Sequence, residues 1–327
     1  MYKFFFFALL ALPINSFADN EIEILTNYCD SGNAIACINL GFNYENGKGV
    51  TKDLKKANSL FEKACSLDYG LGCNILGAKY DLGIGVTKDL NKANSLYEKA
   101  CSLDNGGGCT ILGVSYENGD GVTKDLKKAC SFYEKACSLD EGISCNNLGA
   151  KYDFGIGVTK DLNKANSLYE KACNLDDGTG CTNLGYNYAK GNGVTKDLNK
   201  ANSLYEKACN LDNGNGCVNL GYNYQYGNGV TKDLNKANSL FEKACSLDYG
   251  LGCNNLGYNY QYGNGVTKDL NKANSFYEKA CSLGEGEGCY NLGLNYAKGN
   301  GVTKDLKKAN ILFEKACRLG VKEVCKK

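Results

Sequence analysis

Apolar and small residues recur along this chain with helical spacing, in two alternating stripes. Counting from Cys73, the residues Cys73, Leu76, Gly77 and Tyr80 fall at i, i+3, i+4 and i+7, which is one face of an α-helix, helix A. Gly83 and Gly85 supply the backbone freedom that stops it. After a short loop, Asp89 is placed to cap a second helix, B. Its stripe is Leu90, Ala93, Leu96, Tyr97, Ala100 and Cys101, and it ends near Asp104. Gly106 to Gly108 then turn the chain into the next helix A.

This pair of helices returns every 36 residues, and eight such units tile the chain from about Asn33 to Gly320. A fixed period of this size marks a solenoid, in which each unit buries its apolar face only by stacking on its neighbours. The pattern predicts an all-α chain of about sixteen helices. An amphipathic segment, Ile22 to Cys29, within a capping region of residues 19–32, precedes the repeats of residues 33–320, and residues 321–327 form a tail. Each helix A carries a glycine in mid-stripe (Gly41, Gly77, Gly113, Gly149, Gly185, Gly221, Gly257, Gly293), where a missing side chain lets a neighbouring helix approach.

Two cysteines separated by seven residues mark every junction. Because Cys101 lies in the last turn of one helix and Cys109 in the first turn of the next, a bridge across the hairpin is geometrically natural. The expected set is Cys29–Cys37, Cys65–Cys73, Cys101–Cys109, Cys137–Cys145, Cys173–Cys181, Cys209–Cys217, Cys245–Cys253, Cys281–Cys289 and Cys317–Cys325, the last closed by the tail. Periodicity alone also admits Cys37–Cys65, across the two helices of one unit. Loop-closure entropy for a loop of about eight residues gives about 2.5 kcal/mol per bridge. Zinc is the competing reading of so many cysteines, but this spacing is unlike the knuckles that zinc uses, and neither a metal nor a cofactor is expected. Cys130 is the odd thiol, standing where other units have Asn58, Asn94 or Asn166. It lies seven residues from Cys137, about 10 Å along a helix, too far to bridge to it.

The first residues have Lys3, an apolar run from Phe4 to Leu12, Pro13, and then Ser16, Phe17 and Ala18 before Asp19. This is the pattern of a secretory signal over residues 1–18, cut after Ala18, and it predicts a secreted or periplasmic protein with oxidised cysteines. No later segment approaches the roughly 20 consecutive apolar residues of a membrane span. Formal charge is +1, with no long run of either sign, so nucleic acid is not an expected partner.

The repeated residues L-G-x-x-Y-x-x-G-x-G-V-x-x-D-x-x-K-A-x-x-x-Y/F-x-K-A-C resemble the Sel1-like repeat, a relative of the tetratricopeptide repeat. With a cysteine pair in every unit, the chain is more similar still to the Helicobacter cysteine-rich protein family of secreted repeat proteins. The resemblance implies a right-handed α/α superhelix stapled by hairpin disulfides, export, and an attributed ability to bind penicillin and hydrolyse β-lactams weakly. It brings no catalytic motif onto numbered positions of this chain.

The residues themselves offer little for catalysis. There is no histidine, which removes Ser-His-Asp and Cys-His chemistry and histidine-built zinc sites. The Ser-x-x-Lys, S-D-N and K-T-G motifs of serine β-lactamases are absent. Ser59/Lys63 and their six copies, among them Ser95/Lys99 and Ser275/Lys279, stand at i, i+4 on helix B. Serine beside lysine is a conceivable nucleophile and base, but seven copies on an outer helix read as a solvated face.

Positions two, five, six and nine after the helix-A cysteine point away from the buried stripe, towards the surface expected to be concave. There lie Asn39/Asn43, Asn183/Asn187, Asn219/Asn223, Asn255/Asn259 and Asn291/Asn295, with Phe42, Tyr186, Tyr222, Tyr226, Tyr258 and Tyr262 between them. Asparagine both donates and accepts, so such a ladder suits the main chain of an extended peptide, and tyrosine adds contact area at small entropic cost. Lys79, Lys151, Lys190 and Lys298 are placed to receive a carboxylate. The alternative is that the asparagines bond to one another along the solenoid. Units two to four break the ladder with Ile75, Lys79, Ile111, Ser115 and Lys151, so the later half is the stronger candidate. The expected partner is a peptide, a protein or a peptidoglycan-derived ligand, with β-lactams and weak β-lactamase activity entering only through the resemblance. A structural scaffold is the third reading.

Overall fold

The computed structural model describes residues 14–325. The expected signal segment lies outside the described residues over positions 1–13. All regular structure among the described residues is helical. The chain divides into two compact units, Met1–Ser144 with Ile156–Val158, and Cys145–Gly155 with Thr159–Lys327.

The first unit holds α1 (Ile14–Asp30), α2 (Ala34–Asn46), α3 (Leu54–Ser66), α4 (Gly70–Leu82), α5 (Leu90–Ser102), α6 (Gly106–Asn118) and α7 (Leu126–Ser138). The division falls within α8 (Gly142–Phe154). The second unit continues with α9 (Leu162–Asn174), α10 (Gly178–Lys190), α11 (Leu198–Asn210), α12 (Gly214–Tyr226), α13 (Leu234–Ser246), α14 (Gly250–Tyr262), α15 (Leu270–Ser282), α16 (Gly286–Lys298) and α17 (Leu306–Arg318). Even-numbered helices are the A helices of the sequence pattern, and odd-numbered ones from α3 onward are the B helices.

Each B helix starts as its sequence requires. Asp89 is extended and accepts a hydrogen bond from the Lys92 amide at 3.0 Å, as Asp53, Asp161 and Asp233 do for theirs. The A helices begin three residues before the cysteine, at Gly70 rather than Cys73, because the preceding residue takes the N-cap conformation. Where that residue is Asn105, Asp177 or Asn213, its side chain accepts from the third amide onward. Gly83, at φ +72°, ends α4 with its amide on the Lys79 carbonyl.

The hairpin bridges pair as expected. Cys29–Cys37, Cys65–Cys73, Cys101–Cys109, Cys173–Cys181, Cys209–Cys217, Cys245–Cys253, Cys281–Cys289 and Cys317–Cys325 are formed, with Cα atoms 4.5 to 5.0 Å apart. Cys137 and Cys145 are also disulfide-bonded. The Cys37–Cys65 alternative is therefore not the one adopted. Cys130 stays outside the disulfide set, 5% exposed, its thiol 3.6 Å from the Ile156 carbonyl.

Packing within a repeat turns on the mid-stripe glycine. A Cβ at Gly41 would stand 2.6 Å from the Phe61 ring, one at Gly77 2.7 Å from Tyr97, and one at Gly221 2.6 Å from Phe241. The B-helix aromatic ring thus packs directly against bare A-helix backbone, and Phe61, Phe241 and Tyr277 are wholly buried. Neighbouring repeats are joined by a different device. Asp68, Asp104, Asp176, Asp212 and Asp248 turn their hairpins in the left-handed region, φ 55° to 60°, as Gly32, Gly284 and Gly320 do in others, a conformation that short polar side chains tolerate best after glycine. Their carboxylates then receive Lys99, Lys135, Lys207, Lys243 and Lys279 of the following B helix at 3.0 to 3.2 Å.

Candidate functional site

The B-helix lysines of the Ser/Lys pairs are occupied by that inter-repeat contact. Besides its aspartate, Lys99 donates to the Cys65 carbonyl at 2.9 Å and Lys279 to the Cys245 carbonyl at 2.8 Å. Ser59 and Ser239 turn their hydroxyls back onto the carbonyls of Lys56 and Lys236. In these two pairs serine and lysine point to separate partners, Lys63 reaching Asp30 and Lys243 reaching Asp212.

The face read as a ligand surface separates into two layers. In the second unit Asn187, Asn259 and Asn295 are 1%, 1% and 2% exposed. Each donates its amide to an asparagine of the preceding B helix. Asn187 reaches Asn166 at 2.7 Å, Asn259 reaches Asn238 at 2.6 Å and Asn295 reaches Asn274 at 2.7 Å. Asn223 does the same to Asn202 at 2.6 Å. Those B-helix asparagines in turn donate to loop carbonyls of the next repeat: Asn166 to Asn192, Asn202 to Asn228, Asn238 to Asn264 and Asn274 to Asn300, at 2.8 or 2.9 Å. The asparagine six residues after the cysteine is thus the inner end of a relay that ties helix A, the previous helix B and the next loop together. Of the two readings left open for these positions, bonding along the solenoid is the arrangement found. Cys130 occupies the place of the B-helix asparagine, and only a weak thiol donor stands there.

The outer layer is accessible. Tyr186, Tyr226, Tyr258 and Tyr262 are 46% to 64% exposed on the A-helix face. Tyr258 and Tyr262 meet at 4.6 Å between ring centroids, and Tyr222 stacks on Tyr226 at 6.4 Å. Tyr222 donates its hydroxyl to Asn255 Oδ1 at 3.0 Å, which leaves the Asn255 amide nitrogen buried without a hydrogen-bond partner. Burial raises the Tyr222 phenol above its usual range. Asn183 and Asn291 are half-buried and donate to Asn146 and Asn254, while Asn219 bonds Asn215 on its own helix.

Where this face meets the loops, a recess of about 220 Å³ is lined by Gln261, Tyr262, Lys268, Asn291, Asn295 and Lys298. Gln261 and Lys268 were not among the residues singled out from the sequence, although both recur at fixed places in the repeat. The counterpart in the first unit, about 290 Å³, exposes Asp81, Lys88, Ile111, Val114, Ser115 and Asp120 instead. The first unit differs further in that Lys79 is spent on Glu45 at 2.6 Å, with both side chains largely buried. Lysine there is not available to receive a ligand carboxylate, whereas Lys190 and Lys298 are exposed. Among the described residues, no group of three or more His, Cys, Asp or Glu side chains could hold a metal ion, and no helix is long and apolar enough to cross a membrane.

Comparison with known proteins follows the geometry. The Sel1 repeat matches residues 34–69, 70–105, 108–141, 142–177, 179–213, 214–249, 250–285 and 286–321. A search of curated proteins finds no match. Among solved structures, c5321 of uropathogenic Escherichia coli, described as a protective antigen displaying an SLR fold, is 30% identical, with 93% of this chain and 65% of that one covered and a TM-score of 0.77. The present chain thus spans about two thirds of that protein's length. A Sel1 repeat protein from Oxalobacter formigenes is 26% identical over 75% of this chain and 96% of its own, at a TM-score of 0.66. Helicobacter pylori cysteine rich protein B is 44% identical over 40% of this chain and 95% of its own, at a TM-score of 0.34.

Proposed function

The chain belongs to the Sel1 repeat family, a protein-interaction scaffold in its fold, and we propose that it binds an extended peptide segment of a partner along the A-helix face of its second unit. The observation that carries this is the exposed tyrosine row Tyr186, Tyr226, Tyr258 and Tyr262, set over a relay that already satisfies the buried asparagines. Large aromatic side chains left half in water, with rigid backbone beneath them, are the groups that interfaces bury most productively. Asn183, Asn219 and Asn291 lie beside the row; their amide nitrogens are bonded within the solenoid, and their side-chain oxygens are the groups left to accept from a peptide main chain. Lys268 and Lys298 sit at its end, where a carboxylate of the peptide is favoured. The disulfides suit an oxidising compartment, secreted or periplasmic.

The test is selection of peptides on the purified oxidised protein, followed by fluorescence anisotropy with variants. Tyr226→Ala, Tyr258→Ala and Tyr262→Ala should each weaken binding about tenfold, as loss of an aromatic anchor worth about 1.4 kcal/mol. Peptides that bind the triple variant as tightly as the parent would remove the reading. Nitrocefin turnover above a contaminant-free control would instead favour β-lactam hydrolysis, which the resemblance implied.

A further inference from the structure

The recess of the first unit, about 290 Å³, stands at the same repeat positions as the lysine-lined recess of the second, with its chemistry reversed. Where the second unit has the neutral Gln261, Asn295 and Asn300, the first has Asp81, Ser115 and Asp120, five repeats earlier. Asp81 is half-buried and Asp120 exposed at the rim. Two carboxylates against the single ammonium of Lys88 leave the recess net negative, and among the described residues neither carboxylate is held in an ion pair.

Ser115 also leaves an acceptor bare. In the second unit Asn187, Asn223, Asn259 and Asn295 each donate to the side-chain oxygen of a B-helix asparagine. Serine ends one bond sooner, and among the described residues no group donates to Asn94 Oδ1. Asn94 is only 6% exposed, and its Nδ2 is fixed on the Asp120 carbonyl at 2.7 Å, so this oxygen is an oriented, nearly buried acceptor in the lining of the recess. An acceptor in such a place is costly until a donor reaches it. Tyr97 and Ser115, 2% and 7% exposed, add their hydroxyls to the same lining. In the next repeat the equivalent tyrosine spends its hydroxyl on an acid, Tyr133 on Glu117 at 2.8 Å, whereas Tyr97 makes no such bond to Asp81. Leu90, Ile111 and Val114 supply the apolar part.

These groups together select one kind of ligand. An anion is repelled by Asp81 and Asp120, and an apolar molecule leaves Asn94 Oδ1 unpaired. A guanidinium or ammonium group donates only and carries the complementary charge, and a methylene stem suits the aliphatic side chains beside it. We propose that this recess binds an alkyl guanidinium or alkylammonium group, its cation bonded to Asn94 Oδ1, Asp81 and Asp120 and its stem on Ile111 and Val114. Asp120 Oδ2 already accepts from Asn118 at 3.1 Å and keeps its other oxygen for the ligand. The group belongs either to a basic side chain of a partner peptide or to a free alkyl cation.

The test is saturation-transfer NMR on the full oxidised protein, titrating butylguanidinium and, as its neutral counterpart of the same shape, butylurea. Butylguanidinium should bind about tenfold tighter or more, and added salt should weaken it. Asp81→Asn should cost about tenfold in affinity. Ser115→Asn installs the residue that Asn187, Asn223, Asn259 and Asn295 provide elsewhere; its amide should take Asn94 Oδ1 and fill the recess, abolishing binding with circular dichroism unchanged. An acetylated and amidated Gly-Arg-Gly peptide that binds tighter than butylguanidinium assigns the cation to a peptide side chain, and one that binds no tighter assigns it to a free alkyl cation. Absence of butylguanidinium binding, equal binding of butylurea, or parental affinity in the Asp81→Asn or the Ser115→Asn protein would each overturn the proposal.

Discussion

Replacing Asn238 with alanine isolates the asparagine relay. Its Nδ2 donates to the Asn264 carbonyl at 2.8 Å and its Oδ1 accepts from Asn259 Nδ2 at 2.6 Å. Alanine removes both bonds at a place where Asn259 is 1% exposed, so the Asn259 amide loses its acceptor in a buried site. A buried donor left unsatisfied costs about 1–3 kcal/mol and the lost bond to the loop about 1 more, giving an expected loss of about 2–4 kcal/mol. Asn94→Ala is the matched control. Asn94 likewise bonds the Asp120 carbonyl at 2.7 Å, but the residue six after the next cysteine is Ser115, whose hydroxyl is able to rotate to another acceptor. Its expected cost is about 1 kcal/mol. Solenoids need not unfold in one step, so the measurement is native-state hydrogen exchange of the α13 and α14 amides, compared with α5 and α6 for the control. Equal losses at the two sites would refute the relay as a stabilising unit.

Three further outcomes follow from the packing. Gly221→Ala should lower stability by about 1 kcal/mol or more in thermal unfolding, because overpacking against the Phe241 ring, 2.6 Å from the new Cβ, exceeds the roughly 1 kcal/mol of helix propensity gained; a raised Tm would contradict this. Asp248→Ala should cost about 1 kcal/mol for a left-handed residue at φ 58°, whereas Asp248→Gly should be neutral within about 0.5 kcal/mol, since the solvent-exposed pair with Lys279 contributes little. A glycine variant as unstable as the alanine one would mean that the ion pair dominates. Burial lifts the Tyr97 phenol from 10.0 to about 12, with Asp81 adding to the effect, and drives those of Tyr169, Tyr205 and Tyr277 upward as well. The folded state therefore holds these protons more tightly than the unfolded one, so the stabilisation is complete below about pH 10 and is lost as pH rises through the folded values; ultraviolet titration should show the last phenolates forming together with loss of helix, and complete phenolate formation in a still-helical protein would count against it.

Much of the architecture was legible because the repeat states it eight times. The Asp89 cap, the Gly83 stop, the cysteine pairing and the close approach at Gly77 are each local consequences of residue type, and the structure has them where the spacing puts them. The candidate surface was legible only in part. A helical wheel places Asn183 and Asn187 on one side of a helix, and in isolation that is correct. It carries no information on how far the preceding B helix reaches over that side, and Asn166 covers Asn187 while Asn183 stays half-open. The pairing of positions 21 residues apart, repeated at 166/187, 202/223, 238/259 and 274/295, is the signal in the sequence that marks the inner asparagines as partners. The start of helix A was misjudged by three residues for a related reason: glycines at Gly70 and Gly72 lower helix propensity, but a Cβ at Gly72 would stand 2.7 Å from the Ala64 methyl, so the close approach of α4 there requires glycine.

The lysine-to-aspartate clasp, the glycine under its ring and the asparagine relay each join a repeat to itself or to an adjacent one. Within the second unit, where the relay recurs at 166/187, 202/223, 238/259 and 274/295, insertion or excision of one whole block of 36 residues would consequently keep these contacts at the new junctions. An insertion or excision of any other length would put the cysteines out of phase and leave thiols without their hairpin partners.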